Sequence, residues 1–207
     1  MEQLISFSAY HGTFLNNLKT ILEIGFQPSV NDNDWLGFGT YFFIDGLNDP
    51  MKSAIDWAIC SSWDKELKHF KENDIAVVKV ELTFKANSVF DLRKIENAKL
   101  FHLFRKRWIE NQLYSTQHSS LTDITRPKDR TYDTTVLNEF REKHGIDVLI
   151  SNFHIQLSVH ERYLRLDSRI PNVSVLCLKP INYSTIQFSI SEVEIINATS
   201  WLSHIKI

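Results

Sequence analysis

The chain has 207 residues, 43% of them hydrophobic and 23% charged, with a formal net charge of -2. This suits one domain spanning 1–207 with a sizeable core, and the near-neutral balance carries no global electrostatic signature for nucleic acid or an anionic membrane. Two cysteines, Cys60 and Cys177, exclude a disulfide framework and predict buried thiols in a reducing, cytoplasmic setting.

The opening MEQLISFSAY lacks a positive n-region and a long apolar stretch, so neither a signal peptide nor a membrane span is expected. Leu4 to Tyr10 alternates as a strand. Phe14 to Ile24 carries Leu15, Leu18, Ile21 and Leu22 at helical spacing, with Gly25 as the stop. PSVNDNDWLGFG is a loop by composition, and TYFFID is a short buried strand. Pro50 opens a helix to about Ser62, with Met51, Ala54, Ile55 and Ala58 on one face. Ile75 to Phe84 is the clearest strand.

Glu96 to Asn111 reads as a helix with Leu100, Leu103, Phe104 and Trp108 on its apolar face. Within it Arg105, Lys106 and Arg107 read as a solvated face and not as a nucleic-acid surface. Ser115 to Tyr132 reads as a long polar loop. Thr135 to His144 is a short helix, IDVLIS a strand, Gln156 to Asn172 irregular, VSVLCLK a buried strand and SEVEIIN the last strand. There is no repeating βαβ pattern and no Gly-rich phosphate loop, so the fold class is α+β. The histidines show no metal spacing, His154 and His160 included, and no metal is expected.

Three local patterns carry chemistry. In Tyr10-His11-Gly12-Thr13, a histidine at a strand end is followed by a glycine that lets a ligand approach the backbone. In Gly37-Phe38-Gly39-Thr40-Tyr41-Phe42-Phe43, two glycines lead into a strand that begins with an aromatic, which suits a flat ring stacked on Tyr41. In Lys52-Ser53-Ala54, Ser53 is placed to offer a hydroxyl to an amide. Each pattern alone is also what an ordinary turn, core strand or helix presents.

Taken in order, the three patterns resemble the poly(ADP-ribose) polymerase-like, or diphtheria-toxin-like, ADP-ribosyltransferase superfamily. The resemblance in motifs covers about residues 8 to 60. It implies two small packed β-sheets with flanking helices and an NAD cleft between them. It also implies transfer of ADP-ribose from NAD to an unidentified protein or nucleic-acid acceptor, with release of nicotinamide. By position it implies that His11 bonds a ribose hydroxyl, Gly12 clamps the carboxamide, and Thr13 lies near the other ribose. Gly39 and Tyr41 would flank the nicotinamide ring, and Ser53 would donate to the carboxamide. Trp57 lies one residue past the place where the family often has a second stacking tyrosine. His11 and Tyr41 would be catalytic.

The family's third motif is a glutamate, sometimes a glutamine or an apolar residue, opening a late strand. Strand order puts that position near Ser174, which is no carboxylate. A second alignment puts it at Gln156 with Glu161 close by. Without the glutamate the chain is expected to be a mono-ADP-ribosyltransferase; the alternatives are an inactive NAD-binding or ADP-ribose-binding module and an NAD glycohydrolase.

Overall fold

The structure, a computed structural model, describes residues 3–64, 66–67, 69–71, 74–116, 131–164, 166, 168–180 and 187–203. In chain order they form β1 (Leu4–Phe14), α1 (Leu15–Ile24), β2 (Thr40–Ile44), α2 (Pro50–Ser62), β3 (Trp63–Asp64), β4 (His69–Phe70) and β5 (Asp74–Lys85). There follow β6 (Val89–Asp91), α3 (Ile95–Thr116), α4 (Thr131–His144), β7 (Val148–Phe153), α5 (Val159–Leu164), β8 (Val173–Leu178), β9 (Gln187–Asn197) and α6 (Ala198–Ser203). The class is α+β, as the mixed order of elements predicts.

Seven strands form one sheet in the order β6-β7-β8-β2-β1-β5-β9, and β3 and β4 form a separate two-stranded ribbon. Neighbours in the large sheet are antiparallel except β6 and β7, which are parallel. The expectation of two small packed sheets is therefore corrected. The two groups of strands join edge to edge through β1 and β2 into a single sheet.

Both faces of this sheet are covered, and the sequence shows why. All six residues of β8 are buried, as a near-continuous apolar strand requires. On one face Ala54, Ile55 and Ala58 of α2 pack with Val77, Val175 and Phe140. On the other, Leu18 and Ile21 of α1 pack with Phe26, Phe42, Val78 and Leu176. Each fully buried Val, Leu, Ile or Phe side chain among them contributes about 1.5–3 kcal/mol. α2 starts where Pro50 predicts: Asp49 caps it, accepting from the Lys52 amide at 2.7 Å.

Several boundaries differ from the sequence reading. β1 does not stop at Tyr10 but runs on to Phe14, because β5 pairs with it down to Phe14↔Ile75. His11 is thus inside a strand and not at its tip. Leu22 is exposed, and α1 rests on Leu18 and Ile21. α3 turns Phe104 and Trp108 to the core as expected, but the buried Phe101 joins them, while Leu100 and Leu103 stay exposed. Lys106 and Arg107 are exposed, whereas Arg105 is half-buried and pairs with Asp133 of α4 at 3.1 Å. The segment read as a loop from Ser115 to Tyr132 is helical at both ends, and its middle, 117–130, lies outside the described residues. The stretch read as irregular from Gln156 contains α5. Among the described residues no helix is long and apolar enough to cross a membrane.

Candidate functional site

The two edges of β1 are unequal. On the β5 side it is paired in eleven successive registers, Leu4↔Lys85 to Phe14↔Ile75. On the β2 side it is paired in two, Ala9↔Ile44 and Tyr10↔Phe43. Beyond Tyr10 the two strands part. A side chain fills the start of the fork: His11 Nδ1 donates to the Tyr41 carbonyl at 2.8 Å. A carbonyl can only accept, so Nδ1 carries the hydrogen and Nε2 is the lone-pair nitrogen of the neutral ring. The ring meets Phe26 and Phe42 edge-on, with centroids 5.0 and 5.7 Å away. Burial holds the imidazole pKa below its ordinary value, against the opposing pull of the Tyr41 carbonyl.

The fork opens into a cavity of about 390 Å³, within the range of small-molecule sites. His11, Gly12, Gly39, Thr40 and Tyr41 line it, with Phe42, Phe43, Ile155 and Val175 from the sheet and its edge. The preceding loop supplies Gln27, Ser29, Asn31, Asn33, Asp34 and Trp35, and α2 supplies Trp57. Because successive residues of a strand point to opposite faces, the cavity draws on both core layers at once. Phe42 belongs to one layer; Tyr41, Phe43 and Val175 belong to the other.

Glycine is required at Gly12 by packing. A Cβ there would collide with the Ala54 carbonyl oxygen and crowd Ala58, so α2 lies directly on the strand. Gly39 is likewise pressed against the Leu178 carbonyl. It also bonds Ser29 in both directions, at 2.8 and 2.9 Å, closing the loop at its base. Tyr41 holds the loop from inside. Its hydroxyl donates to the Gly37 carbonyl at 2.7 Å and accepts from the Leu36 amide at 2.8 Å. Burial keeps that phenol protonated. With the hydroxyl committed, the ring is what Tyr41 offers the cavity.

α4 fixes the loop from outside. Asn138 Oδ1 accepts from the Phe38 amide at 2.9 Å, and Thr134 donates to the Asp34 carbonyl at 2.7 Å. The buried Arg141 donates to the carbonyls of Phe38 at 2.9 Å and Asp147 at 2.6 Å. An aromatic group forms one wall: Trp35 stacks on Phe153 and meets Trp57 and Tyr41 edge-on.

The structure brings His11, Gly12, Gly39 and Tyr41 together and leaves the other expected residues outside the lining. The Thr13 hydroxyl accepts from Asn17 at 3.2 Å. Ser53 is buried and donates to the Asp49 carbonyl at 2.7 Å, within its own helix. Ser174 donates to Asn152 at 2.7 Å, and its neighbour Val175 lines the cavity in its place. Gln156 bonds the Leu166 carbonyl. Glu161 forms a capping box at the start of α5: its carboxylate accepts from the amides of Ser158 and Leu157 at 3.2 and 3.1 Å, and Ser158 Oγ accepts from the Glu161 amide at 3.0 Å. The pattern Ser158-x-x-Glu161 was the sequence signal for that role.

Sequence reasoning missed Asp34 and gave Trp35 no role. A tryptophan beside an aspartate in an otherwise polar loop was the available signal, since a large aromatic there needs a wall to rest on. Both cysteines are buried, their thiols pushed up to about 11 by burial, and so are inert. Among the described residues no group of three His, Cys, Asp or Glu side chains could hold a metal ion.

No family model matches the chain. An uncharacterized protein of Methanocaldococcus jannaschii is 33% identical to it over 113 residues, covering 51% of this chain and 46% of that protein. The chain thus spans about half the length of the curated relative it matches.

Proposed function

We propose that the chain is an NAD-dependent mono-ADP-ribosyltransferase with the ADP-ribosyltransferase fold, moving ADP-ribose from NAD to a protein or nucleic-acid acceptor and releasing nicotinamide. One observation carries the reading. The fork between β1 and β2 gathers His11, Gly12, Gly39 and Tyr41 around one cavity, although the two strands' motifs are about 30 residues apart. The cavity's chemistry suits the ligand. The nicotinamide ring of NAD is flat and cationic, and aromatic faces with a nearby carboxylate attract such a ring.

In this reading the nicotinamide ring lies against Tyr41. Its carboxamide pairs with the β1 backbone at Gly12, where no strand occupies the β2 side. His11 accepts a ribose hydroxyl at Nε2, a role its neutral state permits. Fixing ring, amide and ribose together orients the breaking glycosidic bond. The reaction requires no metal. The setting proposed is the cytoplasm.

The second reading, a module that binds NAD or ADP-ribose without chemistry, is favoured by the third-motif position, near Ser174 on strand order, which is no carboxylate and is bonded to Asn152. Nicotinamide release from labelled NAD, with and without cell lysate, separates the readings. A transferase releases nicotinamide when lysate supplies the acceptor, and His11→Ala abolishes it. Release without lysate points to a glycohydrolase on the same fold. Binding without release under either condition establishes the module and overturns the transferase.

A further inference from the structure

We propose that Asp34 supplies the carboxylate of the reaction, doing from the loop what the third-motif position on β8 does not. The inference rests on the NAD reading above. Among the described residues that line the cavity, Asp34 carries the only carboxylate. Ser174 is turned away into a bond with Asn152, Glu161 is bound in the α5 capping box, and Val175 is apolar.

Asp34 is held in place at three points. Oδ1 accepts from Ser29 Oγ at 2.9 Å, Oδ2 accepts from the Asn31 amide at 3.0 Å, and its own carbonyl accepts from Thr134. Each carboxylate oxygen therefore keeps a lone pair for a ligand. Among the described residues it makes no ion pair, so no described cation neutralises it. A fixed, unpaired carboxylate at the wall of a half-buried cavity is placed to meet positive charge brought in from outside.

The step balances as follows. The bond between ribose C1′ and the nicotinamide nitrogen breaks, and its electron pair leaves with the nitrogen, turning the cationic ring into neutral nicotinamide. Positive charge develops at C1′ and on the ribose ring oxygen, where Asp34 stabilises it. A nucleophile X–H of the acceptor forms the X–C1′ bond. Its proton passes to Asp34 and then to water.

The groups that bear on the Asp34 titration come from two elements. Desolvation raises the Asp34 carboxyl above its ordinary value, and Asp32, on the same loop, adds a smaller push in the same direction. From the sheet, Tyr41 and Cys177 face it as neutral groups, and His11 shares the cavity. The hydrogen bonds from Ser29 and from the Asn31 amide oppose these effects in part, Ser29 the more strongly.

The test measures NAD affinity and nicotinamide release for the full chain, with lysate as acceptor source, in wild type, Asp34→Asn, His11→Ala and Ser29→Ala. Asp34→Asn is expected to bind NAD and to lose release by about 100- to 1,000-fold, the scale of one electrostatic group removed from a transition state. Ser29→Ala is expected to move the acid limb of kcat to higher pH, because the bond that holds the carboxyl down is gone. If Asp34→Asn works at the wild-type rate while His11→Ala is dead, Asp34 is not the carboxylate and the NAD reading stands. Loss of NAD binding in Asp34→Asn, in place of loss of release, also overturns the assignment. Should Asp34→Asn fail to fold, an unmoved acid limb in Ser29→Ala overturns it instead. A wild-type chain that releases no nicotinamide removes both proposals together.

Discussion

Strand β1 has two edges, and they differ in almost everything but sequence. The β5 edge is a full antiparallel ladder. The β2 edge is paired for two residues and then gives way to one side-chain bond, His11 to Tyr41, and a cavity. An unpaired edge inside a protein leaves backbone groups that need partners. Here the Tyr41 carbonyl of β2 finds the His11 imidazole, and Gly12 of β1 faces the cavity. The comparison teaches that in this sheet the site is the place where strand pairing is withheld. The flanking ladder with β5 holds β1 in the sheet along its full length.

The comparison breaks most completely at Gly12. Gly12→Ala places a methyl against the Ala54 carbonyl, so α2 must lift from the sheet. The expected loss is about 3 kcal/mol, at the upper end of overpacking effects. Urea denaturation measures it, and a midpoint equal to that of wild type would mean that the close approach does not hold α2.

His11→Ala removes the bond that closes the fork together with a ring packed on Phe26 and Phe42. About 2 kcal/mol of stability is expected to go with it. The wild-type protein also carries a pH signature. The folded-state pKa of His11 lies below the ordinary value of 6.5, so above pH 6.5 both folded and unfolded states hold it neutral. As pH falls through 6.5 the unfolded state takes up the proton first, and stability declines until the folded pKa is reached. Melting curves across pH 5 to 7.5 are expected to show that decline in wild type and a shallower one in His11→Ala, relative to each protein's value at the upper pH. Parallel curves would remove His11 as its source.

Tyr41→Phe sharpens the comparison, because it keeps the ring and deletes the hydroxyl that ties Leu36 and Gly37. The expected cost is about 1–2 kcal/mol, with NAD binding retained, whereas Tyr41→Ala is expected to abolish binding. Equal binding by Phe and Ala variants would count against ring stacking. The smallest effect is reserved for Glu161, which does not line the cavity. Glu161→Ala should cost about 0.5–1 kcal/mol through the lost cap and leave nicotinamide release at the wild-type rate. Loss of release in the folded variant would restore Glu161 to the reaction.

Elements with strong periodicity or punctuation were legible in the sequence. Pro50 after Asp49 marked the start of α2, Gly25 the end of α1, and the valines of Ile75 to Phe84 marked β5. Partner-dependent features were not. β1 continues through His11-Gly12-Thr13 only because β5 lies beside it, and nothing local announces that partner. β6 is three residues long and exists through its pairing with β7. α3 buries Phe101 and exposes Leu100 because its orientation is set by Phe140 of α4, 5.5 Å away between ring centroids. At the site, His11, Gly12, Gly39 and Tyr41 were named from their motifs. Asp34 was not, because its place on the cavity wall depends on Thr134 and Asn138 of α4, about a hundred residues along the chain.

The pairing of β2 with β8 carries a consequence for the order of events in folding. Thr40 stands against Leu178 and Ile44 against Ser174. The three patterns at residues 10–13, 37–43 and 52–54 are synthesised long before β8, the strand that flanks β2 on its far edge. Until β8 docks, β2 has no second neighbour and the cavity has no Val175 to complete its lining. Contacts this distant in sequence close late, after the local helices and the β1–β5 ladder have reduced the search. A nascent chain therefore displays the whole signature of the site while the site itself does not yet exist.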